Sequence, residues 1–117
     1  MNNVEFVEAI KRVVRDSAIE GTVRLYTNPP GRAPEQDLVE MSKWYHSLSD
    51  SDKAMVHRVV RDSVNMAIFG FLSVLSGVRP IETKPPERGE LKLYWDNGTE
   101  QTLINDFDQQ FLHELYW

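Results

Sequence analysis

The sequence predicts a mainly helical α+β fold: three N-terminal helices, the last of them a long, buried central helix, followed by a β-hairpin and a C-terminal helix. Three observations carry that expectation. Apolar residues recur every three or four positions through the first half of the chain. Residues 63–78 contain no charged side chain. The tripeptide Asp96-Asn97-Gly98 separates two short runs of alternating character, as a hairpin turn does. At 117 residues the chain fits a single domain over 1–117, large enough to bury a core without disulfides or metal.

The first helix starts from Asn2 or Asn3, with Glu5 placed to complete a capping box from Asn2. Phe6, Ile10, Val13 and Val14 follow at helical spacing, and Glu8–Arg12 and Arg12–Asp16 pair four apart on the solvent side. Gly21 is expected to end this helix, with residues 22–26 extended. The run Asn28-Pro29-Pro30-Gly31 excludes helix, because proline lacks the amide donor and restricts the residue before it. Pro34 suits the first position of a second helix whose stripe is Leu38, Met41, Tyr45 and Leu48.

Ser49 caps the third helix, with Asp52 three residues on. Its first half is amphipathic, with Met55, Val56, Val59 and Val60 opposite Lys53, Arg58, Arg61 and Asp62. Its second half, from Ala67 to Leu75, is apolar nearly all round, which predicts burial on most faces. Gly77 supplies a left-handed C-terminal residue and Pro80 prevents continuation. Residues 79–89 read as a loop.

Leu91, Leu93 and Trp95 alternate with polar or amphipathic neighbours, as in a half-buried strand, and residues 99–104 return as its partner. A two-residue turn would pair Leu91 with Ile104, and a three-residue turn with a bulge at Gly98 would pair it with Leu103. Asn105 or Asp106 is expected to cap the last helix, with Phe107, Phe111 and Leu115 on one face.

Composition narrows the function. No cysteine is present, which excludes disulfides, thiol catalysis and Cys-ligated zinc. No basic leader or span of about 20 apolar residues is visible, so the expectation is a cytoplasmic protein with no membrane contact. His46, His57 and His113 form no metal-ligand spacing, and the serines lie in no nucleophile elbow. The expectation is therefore a non-enzymatic protein with no catalytic residue, cofactor or metal. The clusters Lys11, Arg12, Arg15 and Lys53, Arg58, Arg61 are interleaved with acids. They read as solvated helix faces and not as a nucleic-acid footprint.

Charge is distributed unevenly. Residues 1–79 carry ten acids and ten bases; residues 80–117 carry eight acids and three bases, so 3 − 8 accounts for the whole net charge of −5. From Leu93 onward there are five acids (Asp96, Glu100, Asp106, Asp108 and Glu114) and no Lys or Arg. Trp95, Tyr116 and Trp117 lie among them. Carboxylates beside large aromatic rings suit a basic protein partner, with the charges steering encounter and the rings anchoring it. Asp96, Asp106 and Asp108 also have local uses, in a turn and in a helix first turn.

Pro30-Gly31-Arg32-x-Pro34, Trp44-Tyr45-x-x-Leu48 and the segment from Ala67 to Val78 resemble a group of small bacterial proteins of unknown function. That resemblance spans roughly residues 28–82. It implies a bacterial origin and a compact helical domain with a short hairpin, and it carries over no catalytic residues. As a class, small acidic bacterial domains without a catalytic constellation resemble immunity proteins and antitoxins, including those of contact-dependent growth inhibition. The resemblance implies a basic, nuclease-type toxin domain as partner, met by Trp95, Asp96, Glu100, Asp106, Asp108, Glu114, Tyr116 and Trp117. Two alternatives accompany it. One is a generic interaction or regulatory domain, for example a homodimer that uses the apolar half of the central helix and dissociates when Phe69 or Phe71 is mutated. The other is a small enzyme or ligand-binding protein with a cleft near Tyr45, His46 and His57.

Overall fold

Helix begins where Asn2 can close a capping box. Its Oδ1 accepts from the Glu5 N–H at 2.9 Å, and its own N–H donates to Glu5 Oε2 at 3.0 Å. In this computed structural model, which describes residues 1–84 and 88–117, the order is α1 (Asn3–Ile10), a π-helical segment (Lys11–Arg15), α2 (Asp16–Thr27), α3 (Gln36–Ser47) and α4 (Asp50–Leu75). β1 (Tyr94–Asp96), β2 (Gln101–Leu103) and α5 (Leu112–Tyr116) follow. The architecture is mainly helical α+β, 60% helix with one two-stranded antiparallel sheet. The expected loop over 79–89 includes residues 85–87, which lie outside the described residues.

Two compact units account for the chain: Met1–Val14 with Met66–Trp117, and Arg15–Asn65. In the first, Val7, Leu72, Leu75, Ile104, Leu112 and Tyr116 form the buried cluster, with Phe69, Leu93 and Trp95 among the half-buried side chains packed on it. α5 lies against α1, and the Asn3 side-chain amide donates to the Gln110 carbonyl at 2.9 Å. In the second, α2 packs on α3, and the His46 ring meets the Thr27 carbonyl at 2.9 Å.

Several local expectations are corrected. Residues 22–26 are helical, and the helix runs to Thr27 through Gly21. A glycine inside a helix costs only about 1 kcal/mol. The hydroxyls of Thr22 and Thr27 bond back to the carbonyls of Ala18 and Val23 within the helix, which stops at Asn28 because Pro29 disfavours helical backbone at the residue before it and, with Pro30, supplies no amide donor. α3 starts at Gln36, with extended Glu35 as its cap, so Pro34 precedes the helix. α4 ends as expected. Gly77 adopts φ 76°, its N–H donates to the Val74 carbonyl, and the Val78 N–H donates to Ser73, both at 3.1 Å. Burial of α4's second half is one-sided, however. Gly70, Leu72, Ser73 and Leu75 are buried, while Phe71 is 61% exposed and Met66 68%. A chain this small has too little material to cover more than one side of that helix.

Neither expected hairpin register forms. Tyr94 pairs with Leu103, Trp95 with Thr102 and Asp96 with Gln101, so residues 97–100 make a four-residue loop. Side-chain oxygens supply the reason. Asp96 Oδ1 accepts from the Gly98 N–H, and Asn97 Oδ1 accepts from the N–H groups of Thr99 and Glu100. The last helix is also shorter than expected, starting at Leu112. Asn105 does not cap it. Buried beneath the hairpin, its amide donates to the carbonyls of Leu75 and Leu91 at 2.7 Å each and accepts from the Leu93 N–H at 2.8 Å. Asp106 caps a turn instead, accepting from the Asp108 N–H at 2.9 Å. Phe107, expected on one face of the last helix with Phe111 and Leu115, lies before it and is an exposed side chain.

Candidate partner-binding surface

Strand parity decides which hairpin side chains can meet a partner. The Ile104 N–H donates to the Leu93 carbonyl and the Asn97 N–H to the Glu100 carbonyl. These bonds mark the inner-bonded pairs, with Trp95 and Thr102 the pair between them. Leu93, Trp95 and Ile104 accordingly face the core, and Tyr94, Asp96, Gln101 and Leu103 share the opposite face. Tyr94 is 47% exposed. The alternation of the sequence already contained this result, since placing Leu93 inward puts Tyr94 outward.

Trp95 and Tyr116, both expected to meet a partner, are therefore placed differently by the structure. Trp95 is half-buried against the core cluster. Tyr116 is a core residue, 2% exposed, because the fourth turn-spaced position after Leu112 on α5 faces the same way as Leu112. Trp117 remains on the surface at 69% exposure, its ring 5.5 Å from that of Phe69.

The acids are exposed as expected, save Asp106, which is half-buried. Among the described residues none of Asp96, Glu100, Asp106, Asp108 and Glu114 forms an ion pair; the pairs formed are Met1–Glu5, Lys11–Glu8 and Arg15–Asp16. Asp96 and Glu100 sit at the hairpin tip, and Asp106 and Asp108 beyond its foot. Five residues lie between Glu100 and Asp106, a stretch that spans at most about 20 Å when extended. The Debye length is about 8 Å at physiological ionic strength. Asp96 with Glu100, and Asp106 with Asp108, thus form two neighbouring acidic groups along the chain.

The region near Tyr45, His46 and His57 is organised differently. Tyr45, 5% exposed, places its hydroxyl 2.7 Å from His57 Nε2, and the two rings stack at 5.9 Å. Lys53 Nζ lies 5.4 Å from the Tyr45 ring centre. Among the described residues the hydrogen bond of His57 is to the Tyr45 hydroxyl and not to a carboxylate. Among the described residues no three His, Asp or Glu side chains converge in the way a metal ion requires.

His113 was missed as a core-facing group. Its ring lies 5.8 Å from both Phe69 and Phe111, and its buried Nδ1 has no hydrogen-bond partner among the described residues. At the loop after α4, the Gly89 N–H donates to Glu82 Oε1 at 3.0 Å, which, helped by Arg88, holds that carboxyl below its ordinary range. No helix is long and apolar enough to cross a membrane among the described residues. Comparison with protein-family models, with curated proteins and with solved structures found no match.

Proposed function

We propose that this chain is a non-catalytic binding protein that takes a basic protein domain on its acidic C-terminal surface, as an immunity protein or antitoxin takes a nuclease-type toxin. The observation that carries this reading is the set of five acids that form no ion pair among the described residues, together with the exposed rings of Tyr94 and Trp117. Charges left without counter-ions keep their full attraction for a basic partner, and exposed aromatic rings supply the desolvated anchors that slow dissociation. In this reading the two acidic patches flank or fill the toxin's substrate cleft. The protein acts in the cytoplasm, performs no chemistry and needs no cofactor.

The test is co-expression with a basic nuclease-type protein encoded beside this gene, followed by binding kinetics on the purified pair. The wild type is compared with a variant carrying Asp96→Asn, Glu100→Gln, Asp106→Asn and Asp108→Asn, its fold checked by circular dichroism. Wild type should restore growth, and the variant should associate at least about tenfold more slowly at low salt. Association that is equally fast for both proteins and insensitive to salt would remove the acidic surface from the interface.

A further inference from the structure

We infer that the hairpin tip Asp96-Asn97-Gly98 is a self-modification site, at which the loop promotes ring closure and deamidation of its own Asn97. In this reaction the backbone nitrogen of Gly98 attacks the side-chain carbonyl carbon of Asn97, and water later opens the ring. Three things speed it: an unobstructed nitrogen, a base for its proton, and donors for the oxygen that becomes negative. The hairpin loop holds all three.

The nitrogen is that of Gly98, whose φ is 87° and which has nothing within 4 Å of the place a Cβ would occupy. Glycine therefore leaves the approach open, and both Asn97 and Gly98 are exposed, so water reaches the product ring. The base is Asp96. Its Oδ1 accepts from the Gly98 N–H at 2.8 Å, so the proton to be removed already points at a carboxylate. The donors are backbone groups. Asn97 Oδ1 accepts from the Thr99 N–H at 2.9 Å and from the Glu100 N–H at 2.8 Å, two donors at the distances an oxyanion hole uses.

Gly98 N forms a bond to Asn97 Cγ while Asp96 takes its proton, and the carbonyl electron pair moves onto Oδ1 beside the two N–H groups. As that pair returns, the Cγ–Nδ2 bond breaks, and Nδ2 takes the proton back from Asp96 and leaves as ammonia. One water then opens the succinimide. Opening at Cγ gives aspartate, which adds one negative charge to the −5 of the chain and keeps an oxygen for Thr99 and Glu100. Opening at the backbone carbonyl gives isoaspartate, whose extra backbone methylene does not fit a loop closed by the Asp96–Gln101 pair.

Peptide mapping by mass spectrometry tests this on the full chain incubated in neutral buffer, where each event adds about 1 Da to the fragment containing Asn97. The reference is the same chain unfolded in urea, which keeps the Asn-Gly sequence and removes the geometry. In a closed active site a base or an oxyanion donor is worth about 100-fold or more. At an exposed tip water competes for the same groups, so the folded chain should react at least about tenfold faster than the unfolded one. Asp96→Asn keeps an acceptor for the Gly98 N–H and removes the base. When folded it should lose that advantage, and in urea it should react like the wild type. A folded wild type that reacts no faster than the unfolded chain overturns the inference, because the hydrogen bonds then lock the loop and do not assist closure. So does an Asp96→Asn protein that, when folded, reacts as fast as the folded wild type.

Discussion

The unit Met1–Val14 with Met66–Trp117 encloses six buried apolar side chains, whereas Arg15–Asn65 encloses one, Tyr45, among the described residues. Where the first relies on burial, the second relies on groups with direction: the Tyr45–His57 hydrogen bond, the Lys53 ammonium over the Tyr45 ring and the His46–Thr27 bond. A fully buried Leu or Val stabilises by about 1.5–3 kcal/mol, against a net 0.5–1.5 kcal/mol for a typical hydrogen bond. The difference teaches that overall stability resides mainly in the first unit. The second is organised by a few polar contacts and leaves Met41, Trp44, Met55 and Val59 exposed.

The most damaging change should be Leu72→Ala at the centre of the first unit, where the side chain is 1% exposed. Cavity formation there should cost about 2–5 kcal/mol in urea-induced unfolding. A loss below 1 kcal/mol would mean that the cluster is not the dominant core. Asn105→Ala comes next. It strips hydrogen bonds from the carbonyls of Leu75 and Leu91 and from the Leu93 N–H, and should cost about 1–3 kcal/mol. Its signature is faster amide exchange in both strands, since Asn105 ties the hairpin to the end of α4.

Gly77→Ala should cost about 1–2 kcal/mol. The left-handed φ disfavours a side chain, and the new Cβ would lie 2.9 Å from the Phe107 ring, which sits at the surface and has room to shift. Smallest is Tyr45→Phe, at about 0.5–1.5 kcal/mol, because the ring stays and only the hydroxyl contact with His57 is lost. Hydrogen exchange should quicken in α3 and leave α5 unchanged. Equal effects in both helices would show that the two units unfold together and would erase the contrast between them.

Much of the local structure was legible. Asn2 and Glu5 announced the capping box, Ser49 and Gly77 the limits of α4, and Asp96-Asn97-Gly98 the hairpin, because caps and turns depend on neighbours within a few residues. Errors arose where a residue had two uses. Asn105 reads equally well as a cap and as a buried amide, and Asn97 as a turn residue and as an acceptor for two N–H groups. Only the presence of α4 and the foot of the hairpin beside Asn105 settles its role. In the candidate surface, Asp96, Glu100, Asp108, Glu114 and Trp117 are exposed as their residue types suggested. Trp95 and Tyr116 turned inward by strand and helix parity, and Tyr94 took the outward place.

By itself, then, the sequence determined the fold class, the start of α1, both ends of α4 and the concentration of negative charge toward the C-terminus, since propensity, capping and net charge are local or additive. Tertiary structure alone decided the hairpin register, the short α5, and the side of α4 that is covered. Those features depend on which surfaces meet, and a helix apolar all round carries no mark of the face that its neighbours will reach.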